Sequence, residues 1–249
     1  MGKFMADLHI HSTLSPCGSL EMSPKKIVQK AKEVGLNLIS ITDHNSIANS
    51  AVTQKLSYEN GIEYLFGMEV QTEEEIHVLT YFDNYSDLYE IWNIVYDRLP
   101  DIKNNPDYFG DQVIVDKDEN IIGYEDKLLI NSSKISFKEL FNVVIERDGI
   151  FIPAHIDRET FSVISQLGFI PQDIDIKFVE ISYSKEKENF LKDYPDYIKY
   201  IFISFSDAHF LDDIGRGYTI FEYKNEKIDS LTKIFNKENK ISIIRRFKC

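Results

Sequence analysis

Cysteine and positive charge are both scarce in this 249-residue chain, and no apolar run approaches the roughly 20 residues needed to cross a bilayer. The two cysteines, Cys17 and Cys249, are too few and too far apart to read as a disulfide framework, which fits a reducing cytoplasm. With neither a spanning segment nor a basic leader followed by an apolar stretch, a membrane partner is not expected and a soluble chain is. Lysine and arginine number 28 against 41 acidic residues, a net charge of −13. Such a surface repels a polyanion, and no basic stripe marks a nucleic-acid track. Stable duplex binding is therefore not expected, although bound cations would offset the repulsion where a phosphate is met. At 43% hydrophobic and 28% charged residues, the chain can bury one sizeable core and reads as a single domain over 1–249.

Strand-like and helix-like stretches alternate along it. Phe4 to His11 reads as a first strand, followed by a polar loop from Ser12 to Ser19. Ser23-Pro24 then offers an N-cap with proline at the first helical position, Ile27, Val28, Ala31 and Val34 recur at helical spacing, and Gly35 stops the run. A second strand, Leu36 to Ile41, ends in Thr42-Asp43-His44-Asn45 before a helical stretch from about Ser46 to Tyr58. Glu63 to Val70, Ile76 to Phe82, Ile150 to Ala154, Ile176 to Ser182 and Tyr200 to Phe205 read as further strands. Ser86 to Leu99 and Phe137 to Glu146 read as helices, and from Glu226 a closing helix and short extended tail are expected. Pro100 to Ser133 breaks the rhythm with a hairpin, Val113-Ile114-Val115 returning as Ile121-Ile122, and reads as an insertion over one end of the fold. The alternation predicts an α/β fold with a parallel sheet, closed at this length into a TIM-like (β/α) barrel with its chemistry at the strands' C-terminal ends.

The histidines support a site there. In an extended strand residues two apart share a face, so Asp7, His9 and His11 project together and form a half-shell suited to zinc, manganese or iron. All six histidines, His9, His11, His44, His77, His155 and His209, fall in or just after a predicted strand beside other polar residues. Glu69 and His77 stand within otherwise apolar strands, where an unpaired ionisable group is costly unless something binds it. Six imidazoles with Glu69 and Asp207 exceed the needs of one ion; two fit, and three become possible.

Asp7-Leu8-His9-Ile10-His11-Ser12, Thr42-Asp43-His44-Asn45, Gly67-Met68-Glu69, the strand residue His77, Pro153-Ala154-His155 and Ser206-Asp207-Ala208-His209 resemble, in order, the motifs of the PHP family of polymerase and histidinol phosphatase metallohydrolases. The resemblance runs from about residue 4 to 210. It implies a distorted seven-stranded β/α barrel with a trinuclear site that hydrolyses phosphate esters. His9 and His11 would then bind one ion with Glu69 and Asp207, Glu69 would bridge to a second held by His77 and His155, and His44 with His209 would hold a third. Asp7 and Asp43 would serve as auxiliary carboxylates that orient the imidazoles. The chain departs from the family at Cys17, near the place where many members supply a further histidine. Either the thiolate replaces that imidazole, or the third site is weak and Cys17 is a small buried hydrophobe.

The chemistry implied is hydrolysis of a phosphate mono- or diester by a water activated at two or three divalent ions, with Glu69 and Asp207 central and no serine or cysteine nucleophile. Arg158, a few residues beyond a metal motif, is a candidate for a bidentate hold on phosphate; Arg216, beside Asp212 and Asp213, reads more as a surface ion pair. A small phosphorylated molecule, a nucleotide or an oligonucleotide end would all present the same group. Two other readings are an amidohydrolase-like metallohydrolase, whose pattern lacks the Thr-Asp-His and late Asp-x-His motifs, and a non-catalytic metal-stabilised binding module.

Overall fold

The computed structural model describes residues 2–223, 230–235 and 239–245. Twelve strands occur among them: β1 (Gly2–Ile10), β2 (Leu38–Ile41), β3 (Glu63–Tyr64), β4 (Phe66–Gln71), β5 (His77–Phe82), β6 (Val113–Val115), β7 (Ile121–Tyr124), β8 (Ile150–Pro153), β9 (Phe178–Glu180), β10 (Ile201–Ile203), β11 (Gly217–Tyr223) and β12 (Lys240–Arg245). The helices are α1 (Pro24–Glu33), α2 (Ser50–Glu59), α3 (Tyr85–Asp97), α4 (Pro106–Phe109), α5 (Phe137–Ile145), α6 (Val163–Leu167) and α7 (Lys187–Asp193). Local chemistry sets their starts. The Ser23 side chain accepts from Lys26 N ahead of Pro24 in α1, Asn84 caps α3 through Asp87 N, and Ser136 caps α5 through Glu139 N. Helix α2 begins at Ser50, later than its sequence suggests, because Asn49 turns its side chain to the Ser12 and Thr13 hydroxyls and to the Val113 carbonyl.

The α/β class holds, but the strands do not close into one parallel, TIM-like barrel. Among the described residues they form four sheets: β12-β11-β1-β2-β3, β4-β5-β8, β9-β10 and the hairpin β6-β7. β1, β2 and β3 are mutually parallel, as are β9 and β10, whereas β4-β5 and β5-β8 are antiparallel. The physical reason lies in the connections. A parallel pair needs a crossover of about a dozen residues or more, and Thr72–Ile76 is far too short for one, so β5 must return alongside β4. The tail from Lys240 pairs antiparallel with β11 as β12; the closing helix expected from Glu226 falls partly outside the described residues, and Leu231–Phe235 forms a single 3-10 turn.

Even without closure, the sheets other than the hairpin β6-β7 face one interior. Leu8, Leu38, Leu79, Ile152, Phe178, Ile203 and Phe221, from seven different strands, share one buried cluster, while a second cluster packs the outer strand faces against α1, α3 and α5. Single parallel bridges, Ile10 to Ala208 and His44 to Glu69, link the sheets at their C-terminal ends. One close approach depends on glycine. A Cβ on Gly67 would lie 2.5 Å from Ser40 Oγ and 2.8 Å from Thr42 Cγ2, so a side chain there would push β4 off β2 and carry Glu69 away from His44. The hairpin β6-β7 is tied to the loop after β1, with Val113 N donating to Thr13 O at 2.8 Å, and to the start of α2, with Val115 N donating to Asn49 Oδ1 at 3.1 Å.

Candidate metal centre

All eight residues expected to bind metal come together around Glu69, most from the C-terminal ends of strands or the loops beyond them and His77 from the start of the antiparallel β5. Its Oε1 lies 3.3 Å from His9 Nε2, 3.1 Å from His77 Nδ1 and 3.4 Å from His155 Nε2; its Oε2 lies 3.4 Å from His11 Nε2 and 3.1 Å from His44 Nδ1. Asp207 Oδ1 lies 3.2 Å from both His9 Nε2 and His11 Nε2. His209 stacks on His11 with ring centroids 4.3 Å apart. His155 and Asp207 both carry positive φ, 27° and 49°, a conformation that costs a non-glycine residue energy and persists here where both side chains must turn inward.

The outer nitrogens of the rings fix which atom faces the centre. His9 Nδ1 donates to the Glu180 carboxylate at 3.0 and 3.1 Å, and His209 Nδ1 donates to the Asp207 carbonyl at 2.8 Å. Ser15 Oγ donates to Asp43 Oδ1 at 2.7 Å and so accepts from His11 Nδ1 at 3.0 Å. His77 is reversed, its Nε2 donating to Gln71 Oε1 at 3.2 Å so that Nδ1 is the inward atom. In the neutral form that binds a metal, His9, His11 and His77 therefore present a lone pair to carboxylate oxygens, an arrangement of acceptor against acceptor. Accordingly His9 Nε2, His44 Nδ1, both His155 nitrogens and both Glu69 oxygens are buried without a hydrogen-bond partner. Cations satisfy such a set, and imidazole with carboxylate suits zinc, manganese or iron.

The carboxylates remain ionised because of their neighbours. Burial works against the charge on Glu69 and Asp207, but the imidazoles around Glu69, and His9, His11 and Arg158 around Asp207, hold both pKa values well below the usual carboxylate range. Burial likewise opposes charge on His9, where Glu180, Asp207 and Glu69 overcome it and hold the pKa well above that of free imidazole. Burial dominates at His44 and His155, which are lowered, and takes His209 down to about 4.

The auxiliary carboxylates differ from one another. Asp43 reaches His11 through Ser15 and also accepts from Ser12 N at 2.7 Å and Ser12 Oγ at 2.6 Å. Asp7 touches no imidazole; it accepts from Ser206 N at 3.0 Å and Gly215 N at 2.8 Å, which holds the loop carrying Asp207, and burial pushes its pKa up to about 6. Arg158 pairs with Asp207 Oδ2. It also lines a cavity of about 480 Å³ with Ile156, Lys185, Asn189, Phe190 and Tyr194. Arg216 pairs with Asp213, both side chains being partly buried. Cys17 is exposed as a residue, while burial of its thiol and the Glu69, Asp207 and Asp43 carboxylates push its pKa up, and the thiol lies among His11, His44 and His209.

Sequence reasoning missed Glu180 and Ser15. Glu180 is 2% exposed, accepts from His9 Nδ1, and also takes His155 N at 2.9 Å. The signal for it was available, since a lone carboxylate in Phe178-Val179-Glu180-Ile181 is as out of place in an apolar strand as Glu69. No local signal distinguishes Ser15 from the other loop hydroxyls.

Comparison with known proteins places these features in context. The PHP domain model matches residues 7–241. Over 78 residues the chain is 40% identical to the uncharacterized protein MJ1587 of Methanocaldococcus jannaschii, covering 28% of this chain and 45% of that protein. Over 76 residues it is 38% identical to a 5'-3' exoribonuclease of Haemophilus influenzae, covering 29% of this chain and 27% of that protein. The matched stretches thus span less than half the length of these relatives. In structure it resembles the lesion-specific endonuclease PfuEndoQ of Pyrococcus furiosus, with a TM-score of 0.72 at 22% identity over 96% of this chain and 58% of the other.

Proposed function

We propose that this chain, which belongs to the PHP domain family, is a metal-dependent hydrolase that cleaves a phosphate mono- or diester of nucleotide or nucleic-acid type with two or three divalent ions held in this centre. His9, His11, Glu69 and Asp207 would hold one ion, Glu69 with His77 and His155 a second, and His44 with His209 a third. The observation that carries the reading is the inward ring of unpartnered buried nitrogens and oxygens around Glu69, a set that divalent cations would satisfy. Bound there, divalent ions supply Lewis acidity toward a phosphoryl oxygen and make water acidic enough to attack near neutral pH.

The chain's own residues do the rest. Glu69 Oε1 faces His9, His77 and His155 and its Oε2 faces His11 and His44, so the carboxylate meets ligands of each proposed ion, which suits a group that lowers repulsion between neighbouring cations. Glu180, Gln71 and the Ser15–Asp43 pair hold His9, His77 and His11 in the tautomers that face inward. Arg158 is placed to exchange Asp207 for a substrate phosphate, with its planar fork matched to two phosphate oxygens. The cavity beside it would receive the organic part of the ester, and Tyr194, stacked on Phe190 at 4.9 Å, offers an aromatic face there. The net charge of −13 favours a small molecule or a strand end over a long duplex. Similarity to an exoribonuclease and to a lesion-specific endonuclease supports the nucleic-acid class.

The test is elemental analysis of gently purified protein, followed by chelation, reloading with manganese, zinc or iron, and assay against an aryl phosphate, a dinucleotide, short RNA, a damaged duplex and an aryl amide. Two or more ions per chain and metal-restored cleavage of a phosphate ester are expected. One ion or fewer, or cleavage of the amide and of no phosphate ester, would overturn the reading.

A further inference from the structure

Cys17 stands outside the ligand set assigned above, yet a donor atom from each of Cys17, His11, His44 and His209 lies within 4.8 Å of the other three. The loop that brings the thiol there is tightly built. Ser15 N donates to Ser12 O at 3.2 Å, Gly18 N to Ser15 O at 2.9 Å, and Ser19 N to the carbonyl of His209 itself at 2.9 Å. A Cβ on Gly18 would lie 2.9 Å from Ser12 O, so the chain folds back after Cys17 as closely as a glycine permits.

The neighbouring rings are already committed elsewhere in a way that leaves donors facing this place. His209 uses Nδ1 on the Asp207 carbonyl, which leaves Nε2 free to bind. His44 is 5% exposed; its Nδ1 faces Glu69 Oε2 at 3.1 Å without a hydrogen-bond partner, and one of its ring nitrogens lies within 4.8 Å of the Cys17 and His209 donors. His11 is turned by Ser15 so that its Nε2 faces Asp207 and Glu69, which makes it the lesser contributor here. Among the described residues Cys17 has no other cysteine to pair with, and the residue is exposed.

We propose that Cys17 binds the third ion as a thiolate together with His44 and His209, and that this position selects zinc over manganese. The inference rests on the metal-dependent reading above and adds to it a ligand and a metal preference. Sulfur is a soft donor that favours zinc, while manganese favours oxygen and is weaker at nitrogen and sulfur sites. On binding, the Cys17 S–H bond breaks heterolytically, the proton passes to solvent and the electron pair goes to the ion, with no change of oxidation state.

Cobalt(II) is the probe, because it occupies zinc positions and shows thiolate ligation by a near-ultraviolet charge-transfer band. The wild-type chain loaded with cobalt is expected to show that band, and Cys249→Ser to keep it. Cys17→Ser is expected to lose the band and to bind about one equivalent less zinc with its manganese content unchanged. Cys17→His, which restores a nitrogen donor, is expected to recover the zinc equivalent without the band. A band absent from the wild type or persisting in Cys17→Ser, or equal zinc content in the two, overturns the inference alone if two ions are still bound. A wild-type chain that binds no ion overturns both this inference and the proposed function.

Discussion

Replacing Glu180 by glutamine tests whether the centre depends on how His9 is held. The Glu180 carboxylate is buried and receives three hydrogen-bond distances: 3.0 and 3.1 Å from His9 Nδ1 and 2.9 Å from His155 N. Glutamine keeps the shape but has one carbonyl oxygen, so its amide group must point a donor at one of two N–H donors. It also removes the negative charge that does most to raise the His9 pKa against burial. Groups that orient a metal-bound histidine in this way are worth about 10–100-fold in metal affinity, or about 1.4–2.7 kcal/mol. We expect Glu180→Gln to weaken metal binding within that range in a competition titration with a chromogenic chelator. A packing defect alone would also weaken binding, so a second readout is needed. In the wild type a metal must displace a proton from a basic His9, and affinity falls as pH drops through that range; with Glu180 neutralised, His9 is less basic and the fall moves to lower pH. Wild-type affinity in Glu180→Gln, or weakened affinity with an unmoved pH dependence, would refute the reasoning.

Glu69→Gln should lower bound metal by more than one equivalent and abolish hydrolysis, because both of its oxygens face imidazoles, whereas His44→Ala should remove at most one equivalent and leave some activity; elemental analysis beside the hydrolysis assay checks both. Asp7 is held near pKa 6 against an ordinary 3.8, so between those values the folded metal-free protein keeps a proton that the unfolded chain has lost, and raising pH destabilises it. The stability of the wild type relative to Asp7→Asn should accordingly fall by about 2 kcal/mol between pH 4 and 7 in chelator, measured by urea unfolding; a constant difference would refute the shift. Gly67→Ala should cost about 1–3 kcal/mol in the same measurement, since its Cβ would lie 2.5 Å from Ser40 Oγ, and an unchanged midpoint would mean that β4 is free to move.

Much of the centre was legible in the residues alone, because its signals are local. His9 and His11 share a strand face by the two-residue repeat, Glu69 and His77 interrupt apolar strands, and Asp43, His155, Asp207 and His209 follow directly on strand ends. Helices α1, α3 and α5 were equally local, resting on caps and apolar spacing that the folded chain keeps. Sheet connectivity was not, since alternating strands and helices are compatible with either direction of pairing, and only the short Thr72–Ile76 link forces β5 back along β4. Nor does sequence indicate which ring nitrogen faces inward. That choice is made by Glu180, 171 residues from His9, by Asp43 acting through Ser15, and by Gln71, which meet the histidines only once the strands have wrapped around a shared interior. The residue types that attract a cation are written in the chain; the distances and tautomers that turn them into a centre come from tertiary packing, because a hydrogen bond forms between groups that the fold, and not the order of residues, makes neighbours.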